Sequence, residues 1–81
     1  MKAIVFTLRA AKEFDALPVA AQIAIEAGLS RYAVEGYGDV KRLQGLEGFR
    51  LRIGEYRVIF DEDQTTILAF SMGRRQTNTY R

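Results

Sequence analysis

The stretch FRLRIGEYRVIF, Phe49 to Phe60, leaves few ways for this chain to fold. Each half alternates apolar and polar residues with a period of two, the pattern of a strand with one buried face. The halves meet at Gly54-Glu55, and glycine in the first central position suits a two-residue type II′ turn. That turn pairs Ile53 with Tyr56, Arg52 with Arg57, Leu51 with Val58, Arg50 with Ile59 and Phe49 with Phe60. One face then holds Phe49, Leu51, Ile53, Tyr56, Val58 and Phe60. The other holds Arg50, Arg52, Arg57 and Ile59. Like charges set directly opposite one another in a sheet are destabilising, on the scale of about 0.2–1 kcal/mol that cross-strand pairs contribute. A cluster kept despite that cost suggests an anion that offsets it. The alternative is a solvated face balanced by Asp39, Glu47, Glu55 and the Asp61-Glu62-Asp63 turn. Arginine suits phosphate, because its planar fork makes paired hydrogen bonds and stays charged.

The rest of the chain supplies a cover for the apolar face. KAIVF at 2–6 is rich in strand formers, and Thr7 can cap a helix running to about Leu17 with Ala10, Ala11, Phe14 and Leu17 as its buried stripe. Pro18 suits the first turn of a second helix to about Val34, whose expected apolar face is Val19, Ile23, Leu29 and Tyr32. The EGYGD loop breaks that helix, and VKRLQGLEG leads into the hairpin. In TILAFSMGRR, strict alternation sends Leu68, Phe70 and Met72 to the core. It sends Ile67, Ala69, Ser71 and Gly73 to the arginine face, with Arg75 in phase with Gly73. The expectation is a single α+β domain over residues 1–81, ordered β-α-α-β-β-β, with a mostly antiparallel sheet and the helical pair on one face.

Composition narrows the chemistry. The 81 residues contain no cysteine and no histidine. Disulfides, thiol nucleophiles and the commonest zinc ligands and general bases are therefore excluded. No cofactor and no metal site is expected; three adjacent carboxylates at 61–63 lack the glycine-bearing pattern of a calcium loop. No apolar run approaches the roughly 20 residues of a membrane helix, so a cytoplasmic location is the default expectation. Of the 12 basic residues, eight lie in residues 41–81 with five carboxylates, whereas residues 1–40 carry four basic and five acidic groups. That asymmetry points the second half at an anionic partner.

Residues 41–80 resemble the RelE/ParE superfamily of bacterial toxins, the toxin halves of type II toxin–antitoxin pairs. The resemblance rests on the order and spacing of several elements in VKRLQGLEGFRLRIGEYRVIF and SMGRRQTNTY. These are a basic-Leu-x-Gly turn, an aromatic-basic-x-basic strand, Gly-x-Tyr-Arg, then Gly-basic-Arg and a late tyrosine. GRRQTNTY resembles the RelE ending. The RelE branch implies a cytoplasmic bacterial endoribonuclease that cleaves mRNA in the ribosomal A site, without metal, by attack of a ribose 2′-hydroxyl on the neighbouring phosphate. The ParE branch implies a DNA gyrase inhibitor, and a degenerate member would only bind its antitoxin. On the RelE pattern, Arg57, Arg75 and Tyr80 are the catalytic candidates, while Arg50, Arg52, Arg74, Lys41 and Arg42 are candidates for RNA binding. Arginines can hold the phosphate and its developing charge. They are poor bases, with pKa values above about 12. Tyr80 is left either to move a proton or to stack on a base. The implied partners are mRNA, the ribosome and a cognate antitoxin from the adjacent gene, the last in a hetero-oligomer that masks the toxin.

Overall fold

The computed structural model describes residues 1–74. Its organising unit is the expected hairpin, formed by β3 (Phe49–Ile53) and β4 (Tyr56–Glu62). The register is the expected one, from Ile53 opposite Tyr56 to Phe49 opposite Phe60. Gly54 turns the chain at φ +59°, and no residue other than glycine has a positive φ among those described. Glu55 is therefore outside the left-handed region, as a type II′ turn requires and a type I′ turn does not.

Ahead of the hairpin come β1 (Ala3–Phe6), α1 (Leu8–Asp15), α2 (Val19–Glu35) and β2 (Asp39–Arg42); β5 (Thr66–Arg74) follows it. The sheet has five strands in the order β1-β5-β4-β3-β2, with β1 parallel to β5 and the other pairs antiparallel. Strand β2 is an addition to the expected order. Its four residues pair in register with β3, so Val40 lies beside Leu51 on the covered face and Asp39 beside Arg52 on the open one. The surrounding glycines and charges hide so short a strand from propensity alone.

Both helices pack on one sheet face. Thr7 caps α1, its hydroxyl accepting from the Ala10 N–H at 3.1 Å. Ala10 is fully buried, and Phe14 and Leu17 pack beside it. The stripe of α2 differs from the expected one. Ala21, Ile25, Leu29 and Ala33 are buried, while Val19 and Ile23 are 69% and 62% exposed. The buried set repeats every four residues, and its alanines let the helix lie close to the strands. Gly28 serves the same approach: a Cβ there would sit 2.7 Å from Ile53 Cδ1. The core beneath comprises Leu51, Val58, Phe60, Ile67, Ala69 and Met72. Tyr32 meets Phe60 edge-on with ring centroids 5.5 Å apart.

The last strand breaks the simple alternation. Ser71 pairs with Ile59, yet Ala69 pairs with Phe60, so Phe70 is an extra residue on β5. This bulge switches the phase of the strand. Ile67 and Ala69, expected on the arginine face, are fully buried in the core; Leu68 and Phe70, expected in the core, lie outside it. Met72, Ser71 and Gly73 keep their expected faces. The start of α1 explains why a small residue takes position 69. The Thr7 N–H donates to the Ala69 carbonyl at 2.9 Å, bringing helix backbone against the strand.

Two carboxylates tie the layers together. Strand β1 ends at Phe6, leaving the upper edge of β5 without a neighbouring strand. Glu13 of α1 fills the gap, accepting from the Met72 N–H at 2.8 Å and from Arg9 Nε at 3.1 Å. The Met72 hydrogen bond, reinforced by Arg9 and Ser71, holds the Glu13 carboxyl below its ordinary pKa despite some desolvation. Glu62 joins β4 to β1 and α2, accepting from Lys2 Nζ at 2.7 Å and from the Tyr32 hydroxyl at 2.6 Å. Burial raises the Glu62 pKa, but the bonds from Lys2 and Tyr32 and the Lys2 charge outweigh it and leave the carboxyl acidic. Desolvation, then the bond to Glu62, pushes Tyr32 up to about 12.

The packing separates two isoleucines of one helix. Ile25→Ala should cost about 2–5 kcal/mol in urea unfolding, by lost transfer energy and the cavity left behind. Ile23→Ala should change stability by no more than about 0.5 kcal/mol, as an exposed site does. Comparable losses at both would mean the helix is rotated from the described face. Acid stability gives a second check. Because the folded pKa of Glu13 lies below its ordinary 4.5, its contribution is complete above that value and lost as pH falls through the folded pKa. Glu13→Gln should therefore flatten part of the fall in Tm below pH 4.5. An unaltered slope would exclude the carboxylate as a pH-dependent tie.

Candidate nucleic-acid interface

Both helices lie on one side, and among the described residues nothing covers the other face of the sheet. The register gathers onto it Asp39 and Lys41 from β2, Arg50 and Arg52 from β3, Arg57 and Ile59 from β4, and Ser71 and Gly73 from β5. Lys41 lies opposite Arg50, and Arg52 opposite Arg57. Both are like-charge pairs of the kind that normally destabilises a sheet. Among the described residues one carboxylate meets this group: Asp39 Oδ2 lies 3.4 Å from Arg52 Nε, with both side chains about half exposed. Among the described residues, Lys41, Arg50 and Arg57 pair with no carboxylate. Arg50 goes further, since its Nε is buried and has no hydrogen-bond partner. A buried donor left unpaired costs about 1–3 kcal/mol or more. It borders a groove of about 370 Å³ lined by Lys41, Arg42, Leu43, Gln44 and Arg50. Gly73, opposite Arg57, adds no side chain that would obstruct a ligand there.

The other sequence candidates divide. Arg42 and Arg74 have the opposite phase to this cluster. Arg42 sits 5.4 Å from the centroid of the Phe49 ring on the covered side. Arg74 lies opposite Tyr56 and forms an ion pair with Glu55 across the hairpin end. Arg75 and Tyr80 lie outside the described residues. Lys41, Arg50, Arg52 and Arg57 are thus brought together, whereas Arg42 and Arg74 stand at the rim. Among the described residues no group of carboxylates is placed to hold a metal ion. The carboxylates at 61–63 have other duties: Glu62 is the tie above, and Asp63 accepts from the Thr65 and Thr66 N–H groups at 2.8 and 2.9 Å. No helix among the described residues is long and apolar enough to cross a membrane.

The feature missed by sequence reasoning is apolar. Leu68 and Phe70 lie outside the core instead of within it. The only signal for it would have been the phase change in β5, and both phases of ILAFSM contain large apolar residues.

A small α+β sheet with one helix-covered face and one bare, arginine-bearing face defines the class. No family model matches the sequence, and no curated protein does. Solved structures do match. The chain superposes on the RelBE2 toxin–antitoxin complex of Mycobacterium tuberculosis with a TM-score of 0.72 at 25% identity, covering 91% of this chain and 98% of that one. The archaeal RelE–RelB complex of Pyrococcus horikoshii gives a TM-score of 0.78 at 21% identity, covering 95% and 98%. The isolated RelE toxin of E. coli gives 0.78 at 15% identity, covering 96% and 88%. By its fold the chain is RelE-like.

The Asp39–Arg52 pair makes the electrostatics testable. An anion approaching the face competes with Asp39 for Arg52. Asp39→Asn should tighten binding of a short single-stranded oligonucleotide at low salt and steepen its salt dependence, with little change in Tm. Weaker binding would mean that Asp39 positions Arg52 for the ligand instead of masking it.

Proposed function

We propose that this chain is the toxin of a type II toxin–antitoxin pair and that its bare sheet face cleaves mRNA on the ribosome. The observation that carries this reading is the group of Lys41, Arg50 and Arg57, set together on one face with no carboxylate among the described residues to neutralise them. The fold shared with RelE proteins from toxin–antitoxin complexes supports it. The reaction is attack of a ribose 2′-hydroxyl on the adjacent phosphate, forming a 2′,3′-cyclic phosphate as the 5′-oxygen departs with a proton. Arg57 is assigned to the scissile phosphate and the charge that grows on it, together with Arg75. Arg50 and Arg52 orient the RNA backbone, with Lys41, Arg42 and Arg74 as flanking contacts. Tyr80 either transfers a proton or stacks on a base, and a chain without histidine leaves few other groups for proton transfer.

An antitoxin from the adjacent gene is the partner that holds such an activity in check. The outer surface of the helical pair suits it: Leu8, Val19, Ile23 and Val34 are each more than half exposed. A flexible segment can cover these and reach the arginine face, at the cost of its own ordering.

The test is to induce the chain in cells and map RNA ends. New 5′-hydroxyl ends within translated codons are the expected result. Arg57→Ala should lower the cleavage rate by about 10²–10³ while ribosome binding persists, as the loss of one transition-state donor does. Arg50→Ala should weaken binding and reduce the salt slope by about 0.7, the share of one single-strand phosphate contact. Intact mRNA together with altered DNA supercoiling would replace this reading with gyrase inhibition. Intact mRNA and unaltered supercoiling would leave antitoxin binding alone.

A further inference from the structure

The bulge in β5 puts an aromatic ring where the alternation of the sequence forbids one. Ala69 and Met72 both point into the core, at 0% and 5% exposure. Between them, Phe70 and Ser71 together oppose the single residue Ile59, whose side chain lies on the open face. Phe70 is 36% exposed and takes no part in the core packing. Arg57, two residues from Ile59 on the same strand and opposite Gly73, is the diagonal neighbour of Ser71, with Phe70 one residue further along β5. Diagonal neighbours on one sheet face are about 7–8 Å apart, close to the reach between the phosphate and the base of one nucleotide.

We propose that Phe70 is the seat of an unpaired nucleobase whose phosphate is held by Arg57, with Ile59 as apolar floor. The proposal rests on the reading of the open face as an RNA-binding surface and adds to it the element that holds the base. Aromatic side chains on an open sheet are a sequence-tolerant platform, because every base has a π-face to stack. The occupant is single-stranded nucleic acid, since the strand beside Phe70 carries Arg57, and among the described residues no carboxylate pairs with Arg57 or Arg50. A protein partner would gain little from apolar contact beside so much unpaired positive charge.

The chain has no tryptophan, so one substitution creates a local reporter. In Phe70→Trp, the indole fluorescence should be quenched by a 2′-O-methyl oligouridylate, which cannot be cleaved, and not by an abasic oligomer of equal length. Anisotropy of the labelled oligomers would record binding separately. Phe70→Ala should weaken binding of the oligouridylate roughly 5- to 100-fold while leaving the abasic oligomer unaffected. Its Tm should stay close to that of the parent chain, as suits a ring outside the core. If Phe70→Trp does not fold, the same comparison is made with Phe70→Leu, which retains apolar bulk without a stacking surface. Binding of both oligomers with no quenching and no preference for bases would overturn the base seat and leave the arginine reading standing. Binding of neither oligomer by the parent chain, with Arg57→Ala unchanged from it, would overturn both. Phe70→Ala that loses the adjacent gene's product but keeps full affinity for RNA would assign the ring to a protein contact and overturn the base seat.

Discussion

Everything about this molecule follows from the register of one hairpin. Side chains alternate along a strand, so shifting β3 against β4 by a single residue would turn one strand's faces over relative to the other's. Either Leu51 would meet water while Arg50 and Arg52 lay under the helices, or Val58 and Phe60 would while Arg57 did. Burying unpaired charges costs far more than the aliphatic stems could return. The hairpin is therefore held from both sides, by burial of the apolar set and by a turn that needs positive φ at Gly54. Once that register is set, the arginine face is unavoidable.

The helices act as a one-sided cover. Ala21, Ile25, Leu29 and Ala33 lie against the sheet, and small residues at this contact let α2 come within reach of Ile53 and Phe60. A domain of this size buries a thin core, so each contact carries a large share of its stability. Two carboxylates close the edges that packing leaves open. Glu13 substitutes for a missing strand along β5, and Glu62 joins the first strand, the second helix and the fourth strand through Lys2 and Tyr32. Both keep acidic residues occupied on the covered side. The sheet's other face is consequently basic at the β2–β4 end, with Asp39 as its masking carboxylate.

That polarity has a functional logic. Cations lined up without counter-charges store electrostatic repulsion that a polyanion relieves on binding. The same arrangement makes affinity sensitive to salt and steers an anionic strand toward the face before contact. A bulge, and not a change of strand, takes Phe70 out of the core on the strand beside these cations. It costs the sheet one residue out of register.

How much of this was legible in the sequence differs from element to element. The hairpin was fully legible, because its alternation, its glycine and its length all point to a single pairing. Thr7 as a cap and the bare arginine face were legible for the same reason: local chemistry and a period of two were enough. The buried stripe of α2 was not. In a helix apolar on nearly every side, Val19 and Ile23 are as plausible inward as Ile25 and Ala33, and only the strands decide. Strand β2 was hidden because four residues acquire their strand state from pairing with β3. The phase of β5 was hidden because Leu68 and Phe70 suit a core as well as Ile67 and Ala69. Contact of α1 with Ala69 and pairing with β1 and β4 together chose between them. The sequence by itself determined which residues form the turn, the cap and the charged face, since these depend on neighbours in the chain. Tertiary structure alone decided which of several equally apolar faces was buried, since hydrophobic burial is non-directional and is settled by shape.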